Sequence, residues 1–115
     1  MNSLFLVNLF MKKILIIGGG AMGSAFSVPC IDNNHKVFIT EPYSQRFIKN
    51  LSSKNKFHSG LKINLSKKLI FKKYAKELFL EKYDLIVVAL SLSGINFIGK
   101  ELNTVSYTHL RAHET

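Results

Sequence analysis

Cysteine, proline and long apolar runs are scarce in this 115-residue sequence, and these shortages exclude several classes of protein. The one cysteine, Cys30, excludes an internal disulfide and a zinc site built from several cysteines, and we expect a reducing, cytoplasmic location. The apolar run at residues 4–10 is far shorter than the roughly 20 residues of a membrane-spanning helix. Lysines follow this run rather than precede it, unlike those of a secretory signal. We therefore predict no membrane span, and no metal site because no metal-ligand spacing is evident.

Acidic residues and arginine are also few, so the formal net charge of +9 comes mainly from lysine. Nine of the fourteen lysines lie between Lys49 and Lys76. A basic surface of this kind can attract nucleic acid, anionic lipid or a phosphorylated small molecule. Nucleic-acid modules usually add arginine, which occurs here only at Arg46 and Arg111. We interpret the region as a solvated lysine-rich face and expect no nucleic-acid partner.

The two ends of the chain differ in character from the segment between them. From Met11 onward the sequence MKKILIIGGG is typical of a natural start, so residues 1–10 are interpreted as a non-native or misassigned start. Residues 105–115, VSYTHLRAHET, resemble the translated adapter of transposase-based sequencing libraries and lack helical or strand periodicity. We therefore predict one partial domain at residues 11–104, followed by an artefactual tail.

Apolar runs predict strands that alternate with helices. Residues 14–17 are continuously aliphatic, as in a strand buried on both faces, and residues 37–40, 69–71 and 85–90 predict further strands. A first helix is expected to end near Asn33 and Asn34 and to be bent or interrupted by Pro29. Its spacing predicts one face packed on the sheet, made of Met22, Ala25, Phe26, Pro29 and Cys30.

Helical patterns also follow the later strands. Ser44 is expected to cap a second helix carrying Phe47, Ile48 and Leu51. Residues 74–82 are helical in composition, and residues 95–102 show helical spacing, whereas His58 lies in what we interpret as a polar, lysine-rich loop. The alternation predicts an α/β fold with a doubly wound parallel sheet.

A glycine-rich motif follows the first predicted strand. Gly18, Gly20 and Gly23 satisfy G-x-G-x-x-G, which is a weak signal alone but is typical of a dinucleotide-binding turn between a buried strand and a helix. Gly18 would permit the tight turn, and Gly20 would let a diphosphate approach the backbone. Gly23 would let the helix pack closely on the sheet, with the phosphate charge over the positive helix end.

The motif also predicts an acidic residue about 20 positions farther on, at the end of the second strand. Glu41 lies there, and its carboxylate would accept hydrogen bonds from ribose hydroxyls and repel a 2′-phosphate, which favours NAD over NADP. The alternative for Glu41 is a simple turn residue before Pro42. Ser91, after the last predicted strand, either contacts the cofactor or caps a helix. The predicted cofactor-binding residues are Gly18, Gly19, Gly20, Ala21, Met22, Gly23, Glu41 and Ser91.

Three segments resemble bacterial and archaeal glycerol-3-phosphate dehydrogenases, and together they span residues 11–102. The segments are KILIIGGGAMGSAFSVPCIDNNHKVFITE, KFHSGLKINLSKKLIF and DLIVVALSLSGINFIGKEL. The chain departs from the family at Ala21 and Met22, where many members carry serine and an aromatic residue. It also departs at Thr40 and Glu41, where arginine is common, and at Ser91, where proline is common.

The resemblance implies a Rossmann-type doubly wound parallel sheet that is incomplete, because only its first strands are present. It also implies an NAD-binding portion of an enzyme that transfers hydride between NAD(H) and glycerol 3-phosphate or dihydroxyacetone phosphate. The implied partners are NAD and a small phosphorylated substrate, and homo-oligomerisation of the full-length enzyme stays open. The family's catalytic lysines lie in regions that the resemblance does not cover, so we assign no catalytic residue. We expect this chain alone to bind nucleotide weakly at most and to be inactive.

Three alternatives remain open from the sequence. A ketopantoate-reductase-like NAD(P)-dependent oxidoreductase shares Gly-Ala-Met-Gly-Ser after the first strand but carries a lysine soon after the fourth, where this chain has Ser91. A non-catalytic nucleotide-binding module would use the same glycine motif. A nucleic-acid-binding module would use the lysines of residues 49–76.

Overall fold

The computed structural model describes residues 11–90, in which helical segments cover both faces of a parallel sheet. In chain order the elements are β1 (Lys13–Ile17), α1 (Ala21–Asp32), β2 (Lys36–Thr40), α2 (Gln45–Ser52), β3 (Phe57–His58), β4 (Ile63–Asn64), β5 (Ile70–Phe71), a 3-10 helix (Lys76–Leu80) and β6 (Leu85–Val88). Apart from β3 and β4, the strand and helix order predicted from the apolar pattern is therefore confirmed over the described residues. The helical composition of residues 74–82 corresponds to the shorter and tighter 3-10 helix.

The described strands of the main sheet run in the order β5-β2-β1-β6, and every pairing among them is parallel. β1 pairs with β2 from Lys13↔Lys36 onward, and it pairs with β6 from Ile14↔Leu85 onward. The chain thus adds strands on one side of β1 and then crosses to the other side. This order confirms the predicted α/β fold, as a partial Rossmann-type sheet.

Side chains of β1 alternate between two hydrophobic cores. Ile14 and Ile16 pack in one core with residues of α1 and α2, whereas Leu15 and Ile17 pack in the other with residues of the 3-10 helix. Both faces of β1 are therefore buried, as its continuous aliphatic run predicts. β6 differs, because Leu85 and Ile86 are exposed at the edge of the described sheet.

The face of α1 that packs on the sheet is not the face predicted from the sequence. Met22 is 76% exposed and Phe26 39%, and Ala25 and Pro29 are also exposed; of the predicted set only Cys30 is buried. The residues that face the core are Gly23, Ser24, Ser27, Cys30 and Ile31. The prediction was wrong because it counted large apolar residues, whereas the close approach of α1 to β1 favours small ones. Burial also raises the pKa of the Cys30 thiol.

Pro29 does not interrupt α1, which runs without a break from Ala21 to Asp32. Proline removes one intrahelical hydrogen bond, and Pro29 would leave the carbonyl of Ala25 without its usual donor. Both residues lie on the exposed side of the helix, so this carbonyl can face water at small cost. The helix ends as predicted near Asn33 and Asn34, and Asn34 adopts a left-handed φ of 66°.

Residues 57–64 contain a short antiparallel hairpin, which corrects the interpretation of this stretch as a simple polar loop. β3 and β4 pair through Phe57↔Asn64 and His58↔Ile63. The side chain of His58 is fully buried, although lysines surround it in the sequence. A stretch that is polar in composition therefore contributes a buried residue to the interior.

Two glycines of the motif are required by packing. Gly18 has φ of +125°, and a Cβ there would overlap the carbonyl oxygen of Ala89 at the end of β6. A Cβ on Gly23 would overlap the carbonyl oxygen of Gly18 and approach Ile16 Cγ2 to 3.2 Å. A Cβ on Gly20 would meet only Phe47, at an ordinary 3.5 Å. The fold therefore excludes side chains at Gly18 and Gly23 but has room for one at Gly20.

This difference predicts unequal effects of two alanine substitutions. We expect Gly23→Ala to lower the free energy of unfolding by about 3 kcal/mol or more, because the clash is with backbone that cannot move aside. Gly20→Ala is the matched control and should cost less than about 1 kcal/mol, the difference between glycine and alanine at a helix N-cap. Urea unfolding of both variants measures the difference. Equal midpoints for the two would contradict the packing described here.

Candidate functional site

The carboxyl ends of β1, β2 and β6 meet at one edge of the sheet. The Gly18 N–H donates to the Thr40 carbonyl at 2.8 Å, and the Ala89 N–H donates to the Ile17 carbonyl at 2.8 Å. Residues 18–20, the glycine turn, lie where the strand order reverses between β1 and β6. In open α/β sheets the crevice at such a reversal is the place where ligands bind.

The first turn of α1 can accept an anion. Its N-cap is Gly20, which has no side chain to satisfy the N–H groups of that turn, and the turn contains no acidic residue. The first N–H groups of a helix have no partner within the helix, and the helix dipole adds a partial positive charge there. Ala21 and Met22 are exposed at this position. Uncapped amides at a helix N-terminus are the donor set that a phosphate group requires.

Glu41 follows β2 directly, and its carboxylate reaches the glycine turn. Oε1 accepts a hydrogen bond from the Gly19 N–H at 2.6 Å, and Oε2 accepts from the N–H groups of Tyr43 and Ser44 at 2.8 and 3.0 Å. The residue is only 5% exposed. Each carboxylate oxygen can accept two hydrogen bonds, so Oε1 keeps capacity for one more donor. Glu41 therefore organises the turn after β2, and these hydrogen bonds leave one lone pair of Oε1 unused.

The carbonyl oxygen of Gly19 is bound by two side chains that the sequence did not identify as site residues. Ser24 Oγ donates to it at 3.0 Å, and His58 Nε2 lies 2.8 Å from it. Ser24 directly follows the last glycine of the motif, and this adjacency is a signal that could have identified it. No pattern in the sequence connects His58 with Gly19, because the two residues are 39 positions apart.

An aromatic stack supports the glycine turn from α2. The rings of Phe47 and His58 are nearly parallel, with centroids 4.9 Å apart and an interplanar angle of 15°. The guanidinium of Arg46 lies 4.6 Å from the Phe47 centroid. Ser44 caps α2 as predicted, because its Oγ accepts from the Phe47 N–H at 3.2 Å. This cap sets the orientation in which α2 presents Phe47 to the turn.

The structure brings most of the predicted cofactor residues together at this edge: Gly18, Gly19, Gly20, Ala21, Met22, Gly23 and Glu41. Ser91 lies outside the described residues. Within residues 11–90 no cluster of three or more histidine, cysteine, aspartate or glutamate side chains could hold a metal ion. No helix in this same part of the chain is long and apolar enough to cross a membrane.

Comparison with curated proteins identifies a relative. The chain is 34% identical over 84 residues to the NADP(+)-dependent glycerol-3-phosphate dehydrogenase of Archaeoglobus fulgidus, and the alignment covers 71% of this chain and 24% of that protein. The chain thus spans about a quarter of the length of the curated relative that it matches. No protein-family profile matches the chain, and no solved structure matches it. The predicted resemblance is therefore confirmed: over this length the chain is a distant relative of a glycerol-3-phosphate dehydrogenase.

Proposed function

We propose that the chain is the nucleotide-binding part of a glycerol-3-phosphate dehydrogenase and that its glycine turn binds NAD. The observation that carries this proposal is the 2.6 Å hydrogen bond between Glu41 Oε1 and the Gly19 N–H, beside the uncapped N-terminus of α1. This bond places a carboxylate, which suits ribose hydroxyls, next to a set of amides that suits a diphosphate.

The proposed diphosphate position explains why Gly20 is a glycine. Its φ of −71° is open to any residue, and a Cβ there would make only an ordinary contact with Phe47. Neither backbone conformation nor packing therefore requires glycine at this position. A glycine at this position would, however, let a diphosphate come close to the backbone, as in other dinucleotide-binding turns.

The choice of NAD rests on the negative charge of Glu41. A carboxylate accepts hydrogen bonds from the 2′- and 3′-hydroxyls of the adenosine ribose, whereas a 2′-phosphate would bring two like charges together. The relative from Archaeoglobus fulgidus is an NADP(+)-dependent enzyme. Our proposal therefore assigns this chain a different cofactor preference from that relative.

The proposed reaction is hydride transfer between NAD(H) and glycerol 3-phosphate or dihydroxyacetone phosphate. The nicotinamide ring supplies the hydride chemistry, and the contribution proposed for this chain is to bind and orient the cofactor. We assign none of its residues to proton transfer or substrate binding. A longer polypeptide that contains this domain would carry those groups.

Titration of the full chain tests the binding proposal. We expect calorimetry to detect NAD binding with higher affinity than NADP, and we expect little response to duplex DNA at either 50 or 200 mM salt. Tight DNA binding that weakens steeply with salt, without a response to either dinucleotide, would instead indicate a nucleic-acid-binding module, because release of counterions from DNA produces that dependence.

Substitution of Glu41 tests the cofactor preference. Glu41→Gln keeps the length of the side chain but removes its charge, so we expect weaker NAD binding. The dissociation constant for NADP divided by that for NAD should fall by roughly tenfold. Glu77→Gln, which alters an exposed carboxylate on the 3-10 helix, is the matched control and should leave the ratio unchanged. The ratio is informative even if the variant is less stable, because partial unfolding lowers both affinities equally. An unchanged ratio would remove the argument for NAD.

Activity is tested on a longer polypeptide that contains this domain. We expect it to oxidise NADH when dihydroxyacetone phosphate is added, because the proposed reaction is reversible. Ketopantoate is the control substrate and should give no oxidation. NADH or NADPH oxidation with ketopantoate alone would favour the ketopantoate-reductase-like alternative.

A further inference from the structure

His58 is a fully buried histidine that the proposed chemistry does not use. It lies on β3, in a hairpin that is separate from the main sheet, yet its Nε2 is 2.8 Å from the Gly19 carbonyl oxygen. Among the hydrogen bonds of the described residues, the one from the His58 imidazole is therefore the link between this hairpin and the proposed diphosphate site.

The hydrogen bonds of the ring determine where its proton lies. Nδ1 accepts from the N–H groups of Gly60 and Leu61, at 3.2 and 3.0 Å. Since both partners of Nδ1 are donors, Nδ1 must be the unprotonated nitrogen. Nε2 of the neutral ring then carries the hydrogen and donates it to the Gly19 carbonyl.

Fixing this carbonyl also fixes the next amide of the turn. The carbonyl of Gly19 and the N–H of Gly20 belong to one planar trans peptide, in which the two groups point in opposite directions. His58 and Ser24 hold the carbonyl from two different elements, so the peptide cannot rotate without losing both hydrogen bonds. The Gly20 N–H is thereby directed to the side away from the buried carbonyl, at the N-cap of α1.

The imidazole itself has little freedom to move. Phe47 stacks on it, and a Cβ on Gly60 would lie only 3.0 Å from its Cε1. Phe47 is also the residue nearest to Gly20 across the turn. The ring is therefore held by packing as well as by hydrogen bonds. A side chain can orient another group only if its own position is fixed in this way.

We infer that His58 is a positioning residue for dinucleotide binding, which orients the Gly19–Gly20 peptide so that its N–H faces the diphosphate. This inference rests on the proposed nucleotide site and adds to it a requirement located in the β3–β4 hairpin. In this role His58 acts through the Gly19 carbonyl and not on the cofactor itself.

Two substitutions separate the positioning role from a structural role in the hairpin. His58→Gln retains an amide donor near the position of Nε2, and His58→Asn retains an acceptor near the position of Nδ1. We expect His58→Asn to weaken NAD binding by roughly five- to tenfold, the effect of one lost hydrogen bond. We expect the NAD dissociation constant of His58→Gln to stay within about threefold of that of the unmodified chain.

His35→Gln is the control and should leave NAD binding unchanged. His35 accepts a hydrogen bond from the Lys12 N–H at the amino end of β1, whereas the glycine turn follows its carboxyl end. If His58→Asn binds NAD as tightly as His58→Gln, the assignment is wrong.

A measurement without ligand tests the inference independently of the proposed function. We expect ¹⁵N NMR of the unmodified chain to show the neutral imidazole of His58 with its hydrogen on Nε2 and none on Nδ1. We also expect the Gly20 amide resonance to move in His58→Asn and to stay in place in His58→Gln. A proton on Nδ1 would overturn the assignment, even if His58→Asn does not fold. Failure of the unmodified chain to bind either dinucleotide would instead overturn the proposed function and leave the NMR result to decide the role of His58.

Discussion

The backbone of Gly19 is held at both of its polar groups, and the arrangement of the glycine turn depends on this. Its N–H donates to Glu41, and its carbonyl accepts from Ser24 and His58. The three side chains come from the end of β2, from α1 and from the β3–β4 hairpin. A single residue just after the central strand thus joins three elements of the chain, two of which are 22 and 39 positions away from it.

Such a turn is organised before any ligand binds. Glu41, Ser24 and His58 are all buried, so their hydrogen bonds form in surroundings where an unpaired polar group would cost more than it does in water. The conformational entropy of ordering the turn is therefore lost on folding rather than on binding, which favours affinity for a ligand that fits the preformed amides. Gly18 and Gly23 complete the arrangement, because their missing side chains allow β6 and α1 to approach the turn.

The sequence predicted the parts of this structure that depend on apolar periodicity and on local motifs. The aliphatic run of β1, the cap at Ser44 and the place of Glu41 after β2 all follow from residues close together in the chain. The buried face of α1 was missed because it contains Ser24 and Ser27, whose hydroxyls bond to backbone carbonyls nearby instead of to water. His58 was missed because it bonds to backbone groups, which every residue type has, so no sequence pattern marks them. One of these groups is also 39 residues away.

The central position of β1 also determines the order in which the domain can assemble during synthesis. Residues at the start of β1 meet residues 23 positions later on the β2 side, but Lys13 bonds to Asp84, 71 positions later, on the β6 side. Contacts between distant residues form more slowly, because a longer loop must be closed. A nascent chain can therefore pair β1 with β2 early, while the other edge of β1 stays open until β6 leaves the ribosome. The Ala89 carbonyl that packs against Gly18 arrives with β6, so the glycine turn reaches its final packing only at the end of this process.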